Sequence, residues 1–219
     1  MGAFSSFLDI LFPPRCVFCR RFLKSGARMQ ICGECLETLP FTKDGGGKTG
    51  EFFTACVAPL YYEGNVRESL LRFKFKDATG YAEEYGKLLA DCIRTNLAGR
   101  YDLISWVPLS RKRLKERGYD QAMLLALAAA LELDDVAVST LEKPLDVEKQ
   151  STMGSAEKRK ANISGAYRAV DPELVEGKRI LLIDDIVTTG ATLSECAKTL
   201  LSAGAGEVLC AAVACTRDE

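Results

Sequence analysis

The sequence predicts an α/β domain with a mainly parallel sheet, preceded by a small module built around four cysteines. Along residues 53–219, apolar stretches of strand length alternate with stretches of helical periodicity, an order typical of a parallel sheet covered by helices. Residues 1–43 hold two Cys-x2-Cys pairs and are too few for a sizeable core. The chain of 219 residues, 47% of them hydrophobic, is long enough for one full core and one small appendage.

The order of elements in the α/β domain follows from this alternation. We predict strands at 53–62, 103–107, 136–141, 180–183 and 208–215, and helices at 66–75, 82–97, 121–131 and 193–201. The branched aliphatic run at 180–183 is typical of a strand buried on both faces of a parallel sheet. Open α/β sheets bind ligands outside the carboxyl ends of their strands. We therefore expect a site in the segments that follow 103–107 and 180–183.

The most informative segment lies between the strand at 180–183 and the helix at 193–201. It reads Asp184, Asp185, Ile186, Val187, Thr188, Thr189, Gly190, Ala191 and Thr192. Backbone N–H groups at the start of the helix, with the positive end of its dipole, suit a phosphate dianion. The two carboxylates can accept hydrogen bonds from vicinal hydroxyls such as those of a ribose. The segment therefore suits a ribose 5-phosphate, whereas a simple capped turn would leave the threonines unexplained.

This segment resembles the ribose-phosphate signature of the phosphoribosyltransferases, a hydrophobic strand followed by two acidic residues and T-T-G-x-T. The resemblance implies a type I phosphoribosyltransferase fold for residues 53–219. It also implies that Asp184 and Asp185 hold the ribose of phosphoribosyl pyrophosphate, bound with Mg²⁺. The 5-phosphate would then lie against Thr188, Thr189, Gly190, Ala191 and Thr192.

The four cysteines near the amino terminus form a second candidate site. Cys16 and Cys19 are separated by twelve residues from Cys32 and Cys35, and two such pairs can surround one Zn²⁺ tetrahedrally. The chain contains no histidine, so the site is all-thiolate or absent. A closed four-thiolate site is structural rather than catalytic. The pattern predicts a zinc ribbon, and four unpaired or disulfide-linked thiols are the alternative.

The cysteines, the apolar runs and the net charge bear on the location of the protein and on its binding partners. The nine cysteines are an odd number and do not resemble a secreted disulfide framework, which favours a reducing, cytoplasmic location. The longest apolar run, 122–131, is far shorter than the ~20 residues of a membrane span, so we expect no membrane span. The 29 basic and 30 acidic residues give a net charge of −1, which argues against a broadly basic nucleic-acid surface.

Residues 44–52 are expected to separate the two modules. The segment contains three consecutive glycines followed by Lys48 and Thr49, and it imitates a phosphate-binding P-loop. It fails that pattern because Thr42 stands where the motif needs its first glycine. We therefore interpret 44–52 as a flexible linker between a ribbon at 1–43, with its preceding amphipathic segment, and the domain at 53–219.

The segment after the strand at 103–107 is strongly basic. Five of the seven residues from Arg111 to Arg117 are cations and only Glu116 is acidic, so the segment is either a pyrophosphate-binding turn or a solvated one. Residues 107–121 also match the pattern V-P-L-x3-R-x3-R-G-[FY]-[ND]-Q. Together with Gln150, Arg159, Asn162 and residues 165–167, they resemble the ComF family of bacterial competence-associated proteins.

The ComF resemblance covers nearly the whole chain and implies a cysteine zinc finger joined to a phosphoribosyltransferase domain. It departs at Ser110, where many relatives carry histidine, and at Asp120, where asparagine is usual. We expect pyrophosphate to contact residues of this turn and one lysine before it: Leu109, Ser110, Arg111, Arg113 and Lys74. Among these, Arg111 and Lys74 are the candidates for catalysis, together with Asp184 and Asp185.

Two functions remain open at this point. The first is a phosphoribosyltransferase acting on an unknown acceptor, in DNA uptake during natural transformation or in nucleotide metabolism. The second is a non-catalytic, metabolite-sensing competence protein that binds single-stranded DNA and works with a competence helicase or recombination proteins. Its nucleic-acid contacts would be Arg111, Arg113, Arg117 and two stacking residues, Phe18 and Phe22.

Two further expectations concern mobility and zinc. The polar segment 144–162 resembles the lid loop that phosphoribosyltransferases close over their site, although a plain connecting loop has the same composition. Because zinc would fold only the ribbon, its loss is expected to leave most of the affinity for phosphoribosyl pyrophosphate intact.

Overall fold

The computed structural model describes residues 13–24, 26–27, 29–76, 78–144 and 165–217. The amphipathic segment before Pro13 lies outside the described residues, and so does the predicted lid loop apart from Pro144. The helices are α1 Gly33–Thr38, α2 Gly64–Phe75, α3 Tyr81–Leu97, α4 Arg111–Arg117, α5 Gln121–Glu132, α6 Pro172–Val175 and α7 Ala191–Ser202. The strands are β1 Ala55–Val57, β2 Leu60–Tyr61, β3 Leu103–Trp106, β4 Leu141–Glu142, β5 Arg168–Ala169, β6 Arg179–Val187 and β7 Glu207–Cys215.

A parallel sheet forms the centre of the molecule. Its strand order is β1-β7-β6-β3, and β2 also pairs with β7. Every described pairing in this sheet is parallel, as the alternation of elements predicts. The pair β4–β5 is antiparallel and forms a separate two-stranded sheet. The carboxyl ends of β3 and β6 are neighbours, because Trp106 is in register with Ile183.

The two central strands are buried on both faces, which explains their nearly continuous apolar sequences. Leu181 and Ile183 of β6 belong to the core on one face of the sheet, which also contains residues of α2, α3 and α5. Ile180 and Leu182, which alternate with them, belong to the core on the other face with residues of α7. The first core extends into the cysteine module, so the amino-terminal module and the domain share one hydrophobic core.

Three predicted strands differ from the structure, and one helix was missed. The strand at 53–62 is two short strands, because Pro59 cannot donate a ladder hydrogen bond. The strand at 136–141 is wrong except at its end: Leu141 pairs with β5, and only an isolated bridge joins Ala137 to Ile104. The strand at 180–183 extends to Val187, so both carboxylates lie within it. Helix α4 was not predicted, because its seven residues contain a single apolar side chain.

The segment predicted as a linker is tied to the domain. Asp44–Gly46 forms a turn of 3₁₀-helix, and Lys48 exchanges both backbone hydrogen bonds with Cys56 of β1 at 3.0 and 2.7 Å. The flexible character predicted for 44–52 therefore does not hold at these residues.

The described helices include none with the combined length and apolar character needed to cross a membrane.

Helices α3 and α5 approach so closely that the contact requires a glycine. A Cβ placed on Gly86 of α3 would lie 2.5 Å from the Cβ of Ala128 and 2.8 Å from its carbonyl carbon. Backbone atoms on the facing helix cannot move aside as a flexible side chain would, so any larger residue must push the helices apart.

We predict that Gly86→Ala lowers the free energy of unfolding by about 1–3 kcal/mol, because it overpacks this contact. The measurement is urea unfolding followed by the fluorescence of Trp106. Gly80→Ala is the matched control, because a Cβ at Gly80 meets nothing within 4 Å, and it should change stability by no more than about 0.5 kcal/mol. Equal stabilities of the two variants would contradict the packing described here.

Candidate functional site

The main cavity, of about 340 Å³, lies at the carboxyl ends of β3 and β6. Its lining comes from α2, from the loop after β3 with α4 and the start of α5, and from the segment around Asp184 and Thr188. A second, smaller cavity of about 40 Å³ continues from it over the turn between β6 and α7. The two segments expected to form a site are therefore brought together at one edge of the sheet.

The floor of the main cavity carries the two adjacent carboxylates. Asp185 is 8% exposed, and its Oδ2 lies 2.6 Å from the ammonium group of Lys74. The Oδ1 of Asp184 accepts the backbone N–H of Asp185 at 2.8 Å. Burial and the neighbouring charge of Asp185 raise the pKa of Asp184 well above its ordinary value. The pair thus concentrates negative charge in a place where water stabilises it poorly.

The turn after β6 has the shape of an anion cradle. Gly190 has φ of +73° and immediately precedes α7, whose first N–H groups face the smaller cavity. A Cβ on Gly190 would lie 3.3 Å from the ring of Phe53, so both the backbone conformation and the space favour glycine. Gly190 has no side chain that could cap α7, and the Oγ1 of Thr189 accepts the N–H of Ala191 at 3.4 Å. The turn can therefore offer the next backbone N–H groups of α7 to a ligand.

Lys48 supports this turn from the segment predicted as a linker. Its ammonium group donates to the carbonyl of Thr188 and to the Oγ1 of Thr216, each at 3.3 Å. Thr216 in turn donates to the same carbonyl at 3.3 Å. Lys48 is separated from Thr188 by 140 residues, and the local sequence pattern contains nothing that would reveal the contact.

The loop after β3 is held by two capping residues. Ser110 is 1% exposed, and its hydroxyl accepts the N–H of Arg113 at 3.4 Å at the start of α4. Asp120 caps α5 through Met123, and its other oxygen accepts the N–H of Leu109 at 2.9 Å. Burial raises the pKa of Asp120. Ser110 and Asp120, the two residues that depart from the ComF pattern, thus shape the loop by accepting backbone N–H groups.

The cationic residues of α4 do not all face the cavity. Arg113 and Arg117 line it, whereas Arg111 is exposed and does not. Arg117 also donates to Gln121 at 2.7 Å and lies 5.0 Å from the ring centroid of Phe75. Arg111 and Arg113 differ because residues two apart on a helix point in different directions. The expected contact between Arg111 and a ligand in this cavity is not supported.

Lys143 and Tyr167 line the same cavity and were not among the predicted site residues. The ammonium group of Lys143 lies 3.2 Å from the hydroxyl of Tyr167 and 4.7 Å from its ring centroid. Burial raises the pKa of Tyr167 well above the ordinary value for tyrosine. Tyr167 belongs to the 165–167 segment of the ComF pattern, and that signal could have identified it. Lys143 carries no such signal.

The four predicted zinc ligands lie together. Their sulfur atoms are all within 4.8 Å of one another, and Cys19 and Cys32 are 3.5 Å apart. Tetrahedral Zn–S bonds of ~2.3 Å would place the sulfurs about 3.8 Å apart. Burial opposes ionisation of Cys16, but backbone N–H groups of Cys19, Cys32 and Phe18 point at its sulfur and lower its pKa to about 7. The donor set therefore fits Zn²⁺.

Comparison with known proteins agrees with the description of both the α/β domain and the cysteine module. A family model of the phosphoribosyl transferase domain matches residues 115–219, and a model of the double zinc ribbon domain matches residues 7–48. Competence protein F of Haemophilus influenzae is 29% identical over 214 residues, which are 89% of this chain and 93% of that protein. DNA utilization protein YhgH of Escherichia coli K12 is 35% identical over 181 residues, covering 81% of this chain and 74% of that protein.

The chain belongs to the ComF family. The predicted fold class, a mainly parallel phosphoribosyltransferase sheet with an amino-terminal four-cysteine zinc ribbon, is confirmed. Among solved structures, glutamine phosphoribosylpyrophosphate amidotransferase from Bacillus subtilis is similar with a TM-score of 0.45 at 20% identity, over 64% of this chain and 30% of that one.

The ribbon of this ComF chain is suited to a single zinc ion. Residues 7–48 contain only the four clustered cysteines, although the matching family model describes a double zinc ribbon. The first pair lies in a tight turn, where the backbone N–H of Arg20 donates to the Cys16 carbonyl at 2.9 Å. The second pair lies at the start of α1, with Cys32 as its amino-terminal cap.

Of the two aromatic residues proposed to stack on nucleic acid, only Phe22 is accessible. Phe18 is 1% exposed and its ring lies edge-on to Tyr85, with centroids 6.0 Å apart. The structure therefore contradicts a stacking role for Phe18, which belongs to the shared core. Phe22 is 61% exposed, with the guanidinium of Arg15 lying 4.2 Å from its ring centroid.

We predict one zinc ion per chain, measured by elemental analysis of the purified protein. Cys32→Ser with Cys35→Ser should remove it, because two thiolates cannot complete a structural site, and the ribbon would lose on the order of 10 kcal/mol of folding free energy. The control is Cys92→Ala, which removes a buried cysteine of α3 outside the cluster and should keep full zinc content. Full zinc retention in the double variant would contradict the assignment.

Proposed function

We propose that this ComF-family protein binds phosphoribosyl pyrophosphate together with Mg²⁺ and transfers its phosphoribosyl group to an acceptor. The observation that carries the proposal is the strand–Asp–Asp–turn segment, in which both carboxylates and the turn open into adjoining cavities. The names of the relatives, a competence protein and a DNA utilization protein, support a role in the uptake or use of DNA.

The ribose 5-phosphate half of the ligand is assigned to the end of β6. Asp184 and Asp185 would accept the two ribose hydroxyls, and the backbone donors of 188–192 would hold the 5-phosphate. Carboxylate oxygens also suit Mg²⁺, which prefers oxygen ligands and keeps several waters. When bound, the metal would neutralise charge on the pyrophosphate.

The pyrophosphate half is assigned to the cationic wall of the cavity. Lys74, Arg113 and Arg117 lie on this wall, and the guanidinium groups are suited to paired phosphate oxygens. Lys143 lines the cavity beside Tyr167 and adds a fourth cation. The Lys74 ammonium would stay beside Asp185 and also donate to the ligand, because an ammonium group has three N–H donors.

Transfer of the phosphoribosyl group requires positioning more than proton transfer. The bond between C1 of the ribose and the pyrophosphate oxygen would break as positive charge develops on the sugar ring, and the acceptor would then bond to C1. The nearby carboxylates stabilise that positive charge, and the cationic wall stabilises the departing pyrophosphate. Such a mechanism suits a chain that contains no histidine.

We predict that Asp184→Asn with Asp185→Asn weakens the affinity for phosphoribosyl pyrophosphate in the presence of Mg²⁺ at least tenfold. Each charge-assisted hydrogen bond contributes roughly 1.5–3 kcal/mol, and the substitution preserves side-chain volume while removing the charge. Isothermal titration calorimetry measures the change. Asp91→Asn, an identical chemical change at an exposed position of α3, is the control and should bind as the wild type does. Unchanged affinity of the double variant would overturn the proposal.

The second candidate function is single-stranded DNA binding without turnover. It is favoured by the accessible Phe22 and by the exposed cations of α4, three of which are Arg111, Lys112 and Lys115. A surface of this kind would contact phosphates along a strand rather than one ligand in a cavity, so its affinity should fall steeply with salt.

Arg111 and Arg113 distinguish the two functions, because they lie on one short helix but only Arg113 lines the cavity. If α4 serves phosphoribosyl pyrophosphate, Arg113→Glu should weaken its binding at least tenfold, and Arg111→Glu less than twofold. If α4 serves DNA, either substitution should make the log–log salt slope of single-stranded DNA binding shallower by about 0.7. Calorimetry and fluorescence anisotropy on the same variants measure both ligands, and equal losses of phosphoribosyl pyrophosphate affinity would contradict the assignment of the cavity wall.

A further inference from the structure

The last turn of α2 contacts three different parts of the molecule through three consecutive residues. Arg72 donates to the carbonyls of Val17 and Phe18, at 3.0 and 2.6 Å, in the first cysteine turn of the ribbon. The Phe73 carbonyl accepts the hydroxyl of Tyr119, in the loop before α5. Lys74 forms the ion pair with Asp185 on β6. One helical turn therefore joins the cysteine cluster to the cavity.

The contact between the ribbon and the domain is built from buried polar groups as well as apolar ones. Ser69, which is fully buried, donates to the carbonyl of Val17. Glu84 of α3 is also fully buried and accepts the N–H of Gln30 from the ribbon at 3.0 Å. Such groups are favourable only while their partners stay in place, because a buried polar group without a partner is costly.

This interface has little tolerance for displacement. The Nε of Arg72 and the Oε1 of Glu84 are buried and have no hydrogen-bond partner among the described residues. If the ribbon moved away, the Nη2 group of Arg72 would lose both of its carbonyl partners. Three aromatic rings also form a row: the centroids of Phe73 and Tyr85 are 5.4 Å apart, and those of Tyr85 and Phe18 are 6.0 Å apart. The same movement of the ribbon would remove Phe18 from this row.

We propose that the zinc ribbon acts on the ligand cavity through the last turn of α2, with Arg72 as a positioning residue for Lys74. Arg72 and Lys74 lie about 3 Å apart along the helix axis, so a shift of this turn moves both residues. A shift of this turn by about 1 Å would lengthen the 2.6 Å contact between Lys74 and Asp185 beyond hydrogen-bond distance. Zinc in the cysteine cluster and a ligand in the cavity therefore stabilise the same position of α2.

This inference reverses the expectation that zinc folds only the ribbon and leaves the ligand affinity intact. The part of this inference that concerns the ligand rests on the proposed binding of phosphoribosyl pyrophosphate. Coupling between two sites is reciprocal, so the ligand must strengthen zinc binding by the same factor by which zinc strengthens ligand binding. Typical coupling between two sites in proteins changes affinity 5- to 150-fold.

The first experiment measures the zinc affinity of the full-length protein by equilibrium competition with a chromogenic chelator. Phosphoribosyl pyrophosphate with Mg²⁺ should strengthen zinc binding roughly fivefold or more in the wild type, and Mg²⁺ alone should not. In Arg72→Met the effect of the ligand should fall below twofold, and the ligand affinity should weaken roughly fivefold or more. Arg72→Lys keeps a donor and should restore part of the coupling. Arg67→Met, on the exposed side of the same helix, should match the wild type.

The second experiment uses no ligand, so that it separates this inference from the proposed function. Hydrogen exchange is compared between the zinc-loaded protein and the protein after zinc removal. Amides of residues 70–75 and of Asp185 should exchange at least tenfold faster without zinc, whereas those of α7 should not change. If the protein binds no phosphoribosyl pyrophosphate but shows this exchange pattern, the proposed function fails and the coupling stands.

The coupling itself is overturned by either of two results. One is a wild-type protein that binds phosphoribosyl pyrophosphate without any change in its zinc affinity. The other is exchange at 70–75 that is the same with and without zinc. Both are measured on the wild type, so the inference stays testable even if Arg72→Met does not fold.

Discussion

The ion pair between Lys74 and Asp185 is the interaction on which the rest of the site depends. Two adjacent carboxylates near the end of a buried strand are unfavourable, because they repel each other in a place where water stabilises charge poorly. Lys74 offsets this cost at 2.6 Å, and that requirement determines where the last turn of α2 lies. The ribbon packs on the same turn through Arg72, so the amino-terminal module and the charged floor of the cavity contact one helical turn.

Charge is segregated within the cavity, although the whole chain has a net charge of only −1. The carboxylates form the floor, which we propose to hold the ribose hydroxyls and a hydrated cation. Lys74, Arg113, Arg117 and Lys143 contribute the cationic groups that line it. Backbone N–H groups at the start of α7 are further hydrogen-bond donors, and they carry no net charge. The local arrangement of charges therefore matters more than the overall balance.

Local patterns in the sequence predicted the segments whose structure is decided locally. The run from Ile180 to Thr192 specifies strand, carboxylates and turn within a few residues, and the four cysteines specify their own cluster by spacing. Contacts between distant segments were missed, such as Lys48 with Thr188 and Arg72 with the ribbon, because neither leaves a periodic or compositional signal. The lining of the cavity does not support the assignment of Arg111, because the direction of its side chain depends on α4, a helix too short and polar to be recognised from the sequence.

The central claim is that one molecule of phosphoribosyl pyrophosphate occupies both cavities, with its two phosphate-bearing ends in different places. Phosphorus NMR of phosphoribosyl pyrophosphate with Mg²⁺ and increasing amounts of protein tests this directly, since the 5-phosphate and the pyrophosphate give separate resonances. We expect all of these resonances to broaden or shift together and to saturate at one ligand per chain. Resonances that stay sharp and unshifted, or a pyrophosphate that responds while the 5-phosphate does not, would contradict the account.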